Sequence, residues 1–399
     1  MDRRTFLKAS GVAGIGLTAG CANGDGGDGG DGGEPIVIAG VEPRSGPFSA
    51  WGDAHVPGME FAIEEINDDG GVLDGRELEF VVEDTEGDPT EADSVFQRLV
   101  EQEDAVAATG PVNSDVGIRT AQTAQSLEVP LFLHMSGSNA VIKDNTTFAF
   151  RVGLLPAQNI MKSQAQLVGD RELESVGAII GDFAWGRSIE SAIEEEFPVD
   201  VQIEVAPVGA NDFRSQLRSF DEDLDMFIAT GHPPGQLTIT NQLFDVGLEP
   251  DLITGSGYPL ALLVDALEDF ATQGPVMFHL NDIETDAYME VAQRYGEETG
   301  EYFGPNISYG YVTGKLIAAA IEEAGEADPV AIRDALNEIQ FDTIYSNPIE
   351  YQNNGELHNQ INNYSEIVLE STDYAPDANA HLEQFFQSQA LEAIPADLD

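Results

Sequence analysis

The run Pro35-Ile36-Val37-Ile38-Ala39-Gly40-Val41, followed by Glu42-Pro43-Arg44-Ser45-Gly46-Pro47-Phe48-Ser49-Ala50-Trp51-Gly52 and then by Met59-Glu60-Phe61-Ala62-Ile63-Glu64-Glu65-Ile66-Asn67, decides the fold. The first stretch is apolar and of strand length, the second is rich in turn residues, and the third has the apolar spacing of one helix face and stops at Gly70-Gly71. Strand, loop and helix make one unit.

The unit repeats outward from there. Leu78-Glu79-Phe80-Val81-Val82-Glu83-Asp84 alternates as a strand, residues 90–102 read as a helix, and Ala105-Val106-Ala107-Ala108-Thr109-Gly110 reads as a short buried strand. Residues 118–127 are helical again, and Pro130-Leu131-Phe132-Leu133-His134 is a fourth strand. The pattern restarts with a helix at 160–168, a strand at 176–180, a helix at 186–196 and a strand at 225–231. A helix at 236–246, a strand at 251–255 and a long helix at 309–324 follow. Two similar α/β lobes with doubly wound parallel sheets are predicted. Ligands in such sheets lie beyond the carboxyl ends of the strands, so the loops that follow strands are the ones to inspect.

Upstream of the first strand the chain has a different character. Arg3-Arg4 precede an apolar stretch of small residues over 9–20, too short to span a membrane, which reads as a twin-arginine export signal. It ends in Leu17-Thr18-Ala19-Gly20-Cys21, which resembles a lipobox; Cys21, the single cysteine of the chain, is the expected lipidation site. Residues 1–21 are thus assigned to the signal and 22–34 to a Gly/Asp-rich tether that reaches ~20 Å as a flexible coil. The protein is expected outside the cytoplasm, anchored to the outer face of the cell membrane.

The formal net charge is −55, from 72 Asp and Glu against 17 Lys and Arg. Such a surface repels itself in dilute salt and is screened where the Debye length falls to about 3 Å. The acid reads as a salt adaptation of the kind haloarchaeal proteins show, and it disfavours nucleic acid. The six histidines, His55, His134, His232, His279, His358 and His381, are scattered without ligand spacing, so no metal site is expected. No nucleophile elbow, Cys-His pair or dinucleotide fingerprint is present, so neither an enzyme nor a cofactor is expected.

Three loops converge on one chemistry. The loop after the first strand carries Trp51, flanked by glycine; the loop after the third is Gly110-Pro111-Val112-Asn113-Ser114; the loop after the fourth is His134-Met135-Ser136-Gly137-Ser138-Asn139. Ser114 and Ser138 are expected at or near helix N-termini, where a hydroxyl and free N–H groups favour a carboxylate. Trp185, in Gly181-Asp182-Phe183-Ala184-Trp185-Gly186, is the matching aromatic on the second lobe, and His232 follows a strand there.

Ser45-Gly46-Pro47 with Trp51-Gly52, then Glu64-Glu65-Ile66-Asn67, Gly70-Gly71-Val72, Gly75-Arg76, Glu83-Asp84, Gly87-Asp88-Pro89 and Gly110-Pro111, together resemble the branched-chain amino-acid-binding family of importer receptors over nearly all the chain after the tether. The resemblance implies a type I periplasmic-binding-protein fold, a Venus-flytrap of two lobes joined by three crossovers near Arg151, His279 and Ser346. Lobe I would then comprise 35–151 and 280–345, lobe II 152–279 and 346–375, and 376–399 a C-terminal extension. It implies capture by hinge closure and delivery to the permease and ATPase subunits of an ABC importer by a monomeric receptor. A ligand-sensing subunit serving a membrane signalling partner is the alternative. By motif position Ser114 and Ser138 match the hydroxyls on the ligand carboxylate, Ser136 a backbone contact, and Trp51 an aromatic wall; Trp185 and His232 fall where the family often has tyrosines. Asn113 and Asn139 complete the candidate ligand contacts. In Thr254-Gly255-Ser256-Gly257-Tyr258 the family's amino-acid binders have an acid for the ligand ammonium, where this chain has Gly257. Asp115, Asp182 and Asp282 are the possible substitutes. The expected ligand is therefore a small polar molecule, an amino acid or a related amide, urea or carboxylate.

Overall fold

The computed structural model describes residues 33–352, 354–396 and 398. The expected export signal, Cys21 and nearly all of the tether lie outside the described residues.

Lobe I is built from β1 (Ile36–Glu42), α1 (Ser49–Asp68), β2 (Leu78–Asp84), α2 (Pro89–Gln102), β3 (Ala107–Thr109), α3 (Ser114–Leu127), β4 (Leu131–Leu133) and β5 (Ala149–Arg151). Its five strands are all parallel, in the order β2-β1-β3-β4-β5. Along β1, Ile36 and Ile38 point into one apolar cluster, whereas Ala39 and Val41 point into another. Both faces are covered, which is why the strand reads as a continuous apolar run.

Lobe II repeats the plan with α4 (Ala157–Asp170), β6 (Val176–Gly181), α5 (Ala184–Glu196), β7 (Val201–Ala206), α6 (Arg214–Leu217), β8 (Met226–Thr230), α7 (Gly235–Val246), β9 (Leu252–Thr254), α8 (Leu260–Leu267) and β10 (Val276–His279). Its parallel sheet runs β7-β6-β8-β9, and a parallel bridge from Ile253 to Pro275 carries it on to β10. Here Ala178 and Ile180 face the cluster shared with lobe I, and Ile179 faces the outer one. The chain then returns to lobe I with α9 (Asp286–Thr299), α10 (Pro305–Ala324) and α11 (Pro329–Leu336). A short ladder follows, of β11 (Gln340–Phe341) and β12 (Ile349–Glu350), before β13 (Asn363–Val368) and β14 (His381–Gln387). β13 pairs antiparallel with both β10 and β14. Residues 376–399, expected as an extension, thus carry a strand of lobe II's sheet.

Three local readings need correction. α1 starts ten residues before its clearest apolar pattern, so Trp51 lies in its first turn and not in a loop. Glycine obscured this. A Cβ on Gly58 would sit 1.8 Å from the Ile307 carbonyl oxygen, and one on Gly310 would sit 2.2 Å from that of His55, so α1 and α10 pack backbone to backbone and need glycine inside a helix. Trp185 likewise belongs to the first turn of α5. No helix follows Ser138: the chain turns through 139–148 directly into β5.

The first crossing is fastened by a buried ion pair. Arg151 donates to both carboxylate oxygens of Glu356, at 2.6 and 2.9 Å, and to the Ser136 carbonyl at 2.7 Å, with both charged side chains fully buried.

Candidate ligand-binding cleft

A cavity opens where the carboxyl ends of the two parallel sheets meet. Lobe I contributes Phe48, Trp51, Val112, Asn113, Ser114 and Met135; lobe II contributes Leu154, Phe183, Trp185, Pro233 and Ser256. Its free space is about 30 Å³, room for about two waters. A ligand larger than that requires the lobes to part or wall side chains to move.

The lobes touch across this space. Trp51 donates its indole N–H to the Gly257 carbonyl at 2.9 Å and packs its ring 4.3 Å from Tyr258. Ser138 and Ser188 hydroxyls are 2.8 Å apart, and the Asn139 N–H reaches the Ser188 oxygen at 3.3 Å. His232 sits edge-on between Phe48 and Phe183, at 5.2 and 5.3 Å. Burial lowers its pKa, opposed by a hydrogen bond with the Pro233 carbonyl and by Asp115, and the ring braces the two phenylalanines of the wall.

Among the described residues, no charged side chain lines the cavity. What it presents to an anion are hydrogen-bond donors and two helix ends. Ser114 is the first residue of α3, and Trp185 the second of α5, so the N-termini of these helices enter from opposite lobes; their free N–H groups and dipoles favour negative charge. The Ser114 oxygen already accepts the Ser138 N–H at 3.1 Å, which leaves its own proton to donate. The Trp185 indole N–H and the Ser256 hydroxyl are buried on the wall without a hydrogen-bond partner among the described residues. Buried donors are normally satisfied, so these two are poised for something that enters the cavity.

Of the nine candidates read from sequence, Trp51, Asn113, Ser114 and Trp185 line the cavity. The other five lie behind it. Ser136 donates to the Pro111 carbonyl at 2.7 Å, Ser138 is taken up with Ser188, and Asn139 accepts the Gln158 N–H at 3.1 Å. Gly257 offers its carbonyl to Trp51, and His232 supports the two phenylalanines. None of the aspartates weighed as ammonium partners reaches the wall: Asp182 is exposed and paired with Arg187 at 3.1 Å, Asp282 accepts from Gln387, and Asp115 is absent from the lining. Sequence reasoning missed Phe48, Val112, Met135, Leu154, Phe183, Pro233 and Ser256. Most are apolar loop residues that nothing local distinguishes from core.

The profile of the periplasmic binding protein family matches residues 35–364. The leucine-, isoleucine-, valine-, threonine- and alanine-binding protein of Pseudomonas aeruginosa is 26% identical over 340 residues, spanning 82% of this chain and 88% of that protein. Among solved structures, a leucine-binding protein from Thermotoga maritima is similar with a TM-score of 0.76 at 20% identity, over 89% of this chain and 99% of that one. A solute-binding protein of an ABC transporter from R. palustris, in complex with benzoate, is similar with a TM-score of 0.74 at 17% identity, over 90% and 98%.

Proposed function

This chain belongs to the periplasmic binding protein family, whose members bind substrates and are not enzymes, and on that premise we propose that it is the extracytoplasmic receptor of an ABC importer for a small monocarboxylic acid with an apolar body. The observation that carries this reading is the cavity wall: mostly aromatic and aliphatic side chains, hydroxyl and indole donors at two helix N-termini, and, among the described residues, no acid to hold an ammonium. An unpaired ammonium buried there costs several kcal/mol, which disfavours an amino acid. The leucine- and benzoate-binding relatives support a carboxylate on an apolar body as the shared chemistry.

Capture proceeds by closure. The carboxylate accepts from Ser114 on lobe I and from Trp185 and Ser256 on lobe II, so the closed form gains contacts that the open form lacks. Trp51 and Tyr258 meet as the cleft shuts. The boundaries that suit this motion are 35–151 with 280–345 for lobe I and 152–279 with 346–375 for lobe II, to which β14 is added by its pairing with β13, supported by the passage of the chain after β5, after β10 and before β13. Twin-arginine export, a lipid on Cys21, a monomeric state and a halophilic surface complete the proposal, on the composition of residues 1–34 and the charge of −55.

The test is a thermal-shift screen at multimolar salt of monocarboxylates, amides, urea and amino acids, since a ligand that binds only the folded form raises apparent stability. A monocarboxylate should give the largest shift, and Ser114→Ala should diminish it. A largest shift from urea or an amide, or one untouched by Ser114→Ala, contradicts the proposal.

A further inference from the structure

Beneath the floor of the cleft, three ionisable side chains outside the ligand cavity meet. Glu42 ends β1, His55 lies in α1 one turn beyond Trp51, and His134 directly follows β4. All three are completely buried. One metal-ligating atom from each lies within 4.8 Å of the other two. His55 Nδ1 is 2.6 Å from Glu42 Oε1, and the two imidazoles stack with centroids 3.8 Å apart and planes 19° apart. Four polar atoms of the cluster have no hydrogen-bond partner among the described residues: Glu42 Oε2, His55 Nε2 and both ring nitrogens of His134.

From this geometry we infer that Glu42, His55 and His134 form a site for a divalent transition-metal ion of the zinc class. Buried polar atoms without partners are uncommon and costly, and their gathering on two imidazoles and a carboxylate calls for a shared partner. Two imidazoles and a carboxylate suit zinc, cobalt, nickel or iron; magnesium and calcium demand oxygen ligands. Glu42 Oε1 and His55 Nδ1, which face one another at 2.6 Å, would both ligate the ion, which takes the place of the proton they share.

Two stacked rings cannot both aim a lone pair at one point, so one must turn on binding. His134, which has no hydrogen bond to lose, is the ring that turns. The ion would hold together three walls of the cleft. Glu42 leads into the loop with Phe48, His55 shares a helix with Trp51, and His134 precedes Met135, and all three of these neighbours line the cavity.

The test is a cobalt titration of the full chain, stripped with chelator at multimolar salt. One equivalent of Co²⁺ should produce the visible absorption bands of imidazole-bound cobalt of low coordination number, which octahedral cobalt on surface carboxylates does not give, and zinc should bleach them. His55→Gln and His134→Gln should each abolish the bands while leaving the far-UV circular dichroism intact. A wild-type protein without such bands overturns the inference and leaves the orphan atoms to internal water; this holds even where a variant fails to fold. Bands that survive in either folded histidine variant overturn it equally, because the ion then lies elsewhere.

Discussion

Ser114 and Trp185 enter the cavity from the first turns of two helices in opposite lobes, and each supports a separate prediction. Ser114→Ala removes a donor to a charged group and should weaken carboxylate binding by about 1.5–3 kcal/mol, roughly tenfold to a hundredfold, in a calorimetric titration. Trp185→Phe keeps an aromatic ring and deletes an N–H that has no partner among the described residues. It should therefore weaken the ligand while leaving the free protein's melting temperature unchanged or raised, because an unsatisfied buried donor costs about 1–3 kcal/mol. Parallel melts with and without ligand separate the two effects. Ser114 was legible because it follows a short buried strand and Gly110-Pro111 and opens an amphipathic stretch. Ser256 was not, because nothing in Gly255-Ser256-Gly257 says that a hydroxyl will be buried against a cavity. The meeting of His55 with His134 was equally hidden, since a ring stack between a helix and a strand end leaves no spacing signal in the chain.

The elements that join the lobes are held by buried polar groups, and these set the response to substitution and pH. Glu356→Gln strands the fully buried Arg151 without its charge partner and should cost about 3–5 kcal/mol in denaturant unfolding, whereas replacing both residues by apolar side chains of similar volume should cost much less. His279, at the end of β10, lies 3.0 Å from the Asn281 carbonyl through Nδ1 and 2.8 Å from the Ser365 hydroxyl through Nε2. The neutral ring satisfies both, donating to the first and accepting from the second. Burial brings its pKa from 6.5 down to about 4, against the Asn281 hydrogen bond. Between those values the unfolded chain binds a proton that the folded chain refuses. This part of the stability is therefore complete above pH 6.5 and is lost as pH falls towards 4, by about 3 kcal/mol in all. His279→Gln should flatten that portion of the pH–stability curve relative to wild type. At this scale the central helices and strands were readable from apolar periodicity. The start of α1 was not, since glycines demanded by helix contact look like breakers, nor was β7, whose residues are mostly half-exposed and carry no continuous apolar run.

The whole molecule is two parallel-sheet lobes sharing an apolar cluster between them and wearing a net charge of −55. That charge predicts a melting temperature that rises as salt is raised from the dilute to the molar range, because screening removes self-repulsion; a flat or falling curve would contradict it. The two-lobed plan was legible from repeated strand–helix units, with the central strands apolar on both faces. The pairing of β13 and β14 into lobe II's sheet was not, since it joins the end of the chain to β10 across the whole of α9 to α11. Closure of the lobes on a carboxylate without an ammonium is the central claim. Its most direct measurement is a calorimetric comparison, at multimolar salt, of isocaproate and leucine, which share a branched body and a carboxylate and differ only by the α-ammonium. Isocaproate should bind at least about tenfold more tightly, because the cavity has no partner for the ammonium. Leucine binding as tightly or more tightly would contradict the claim.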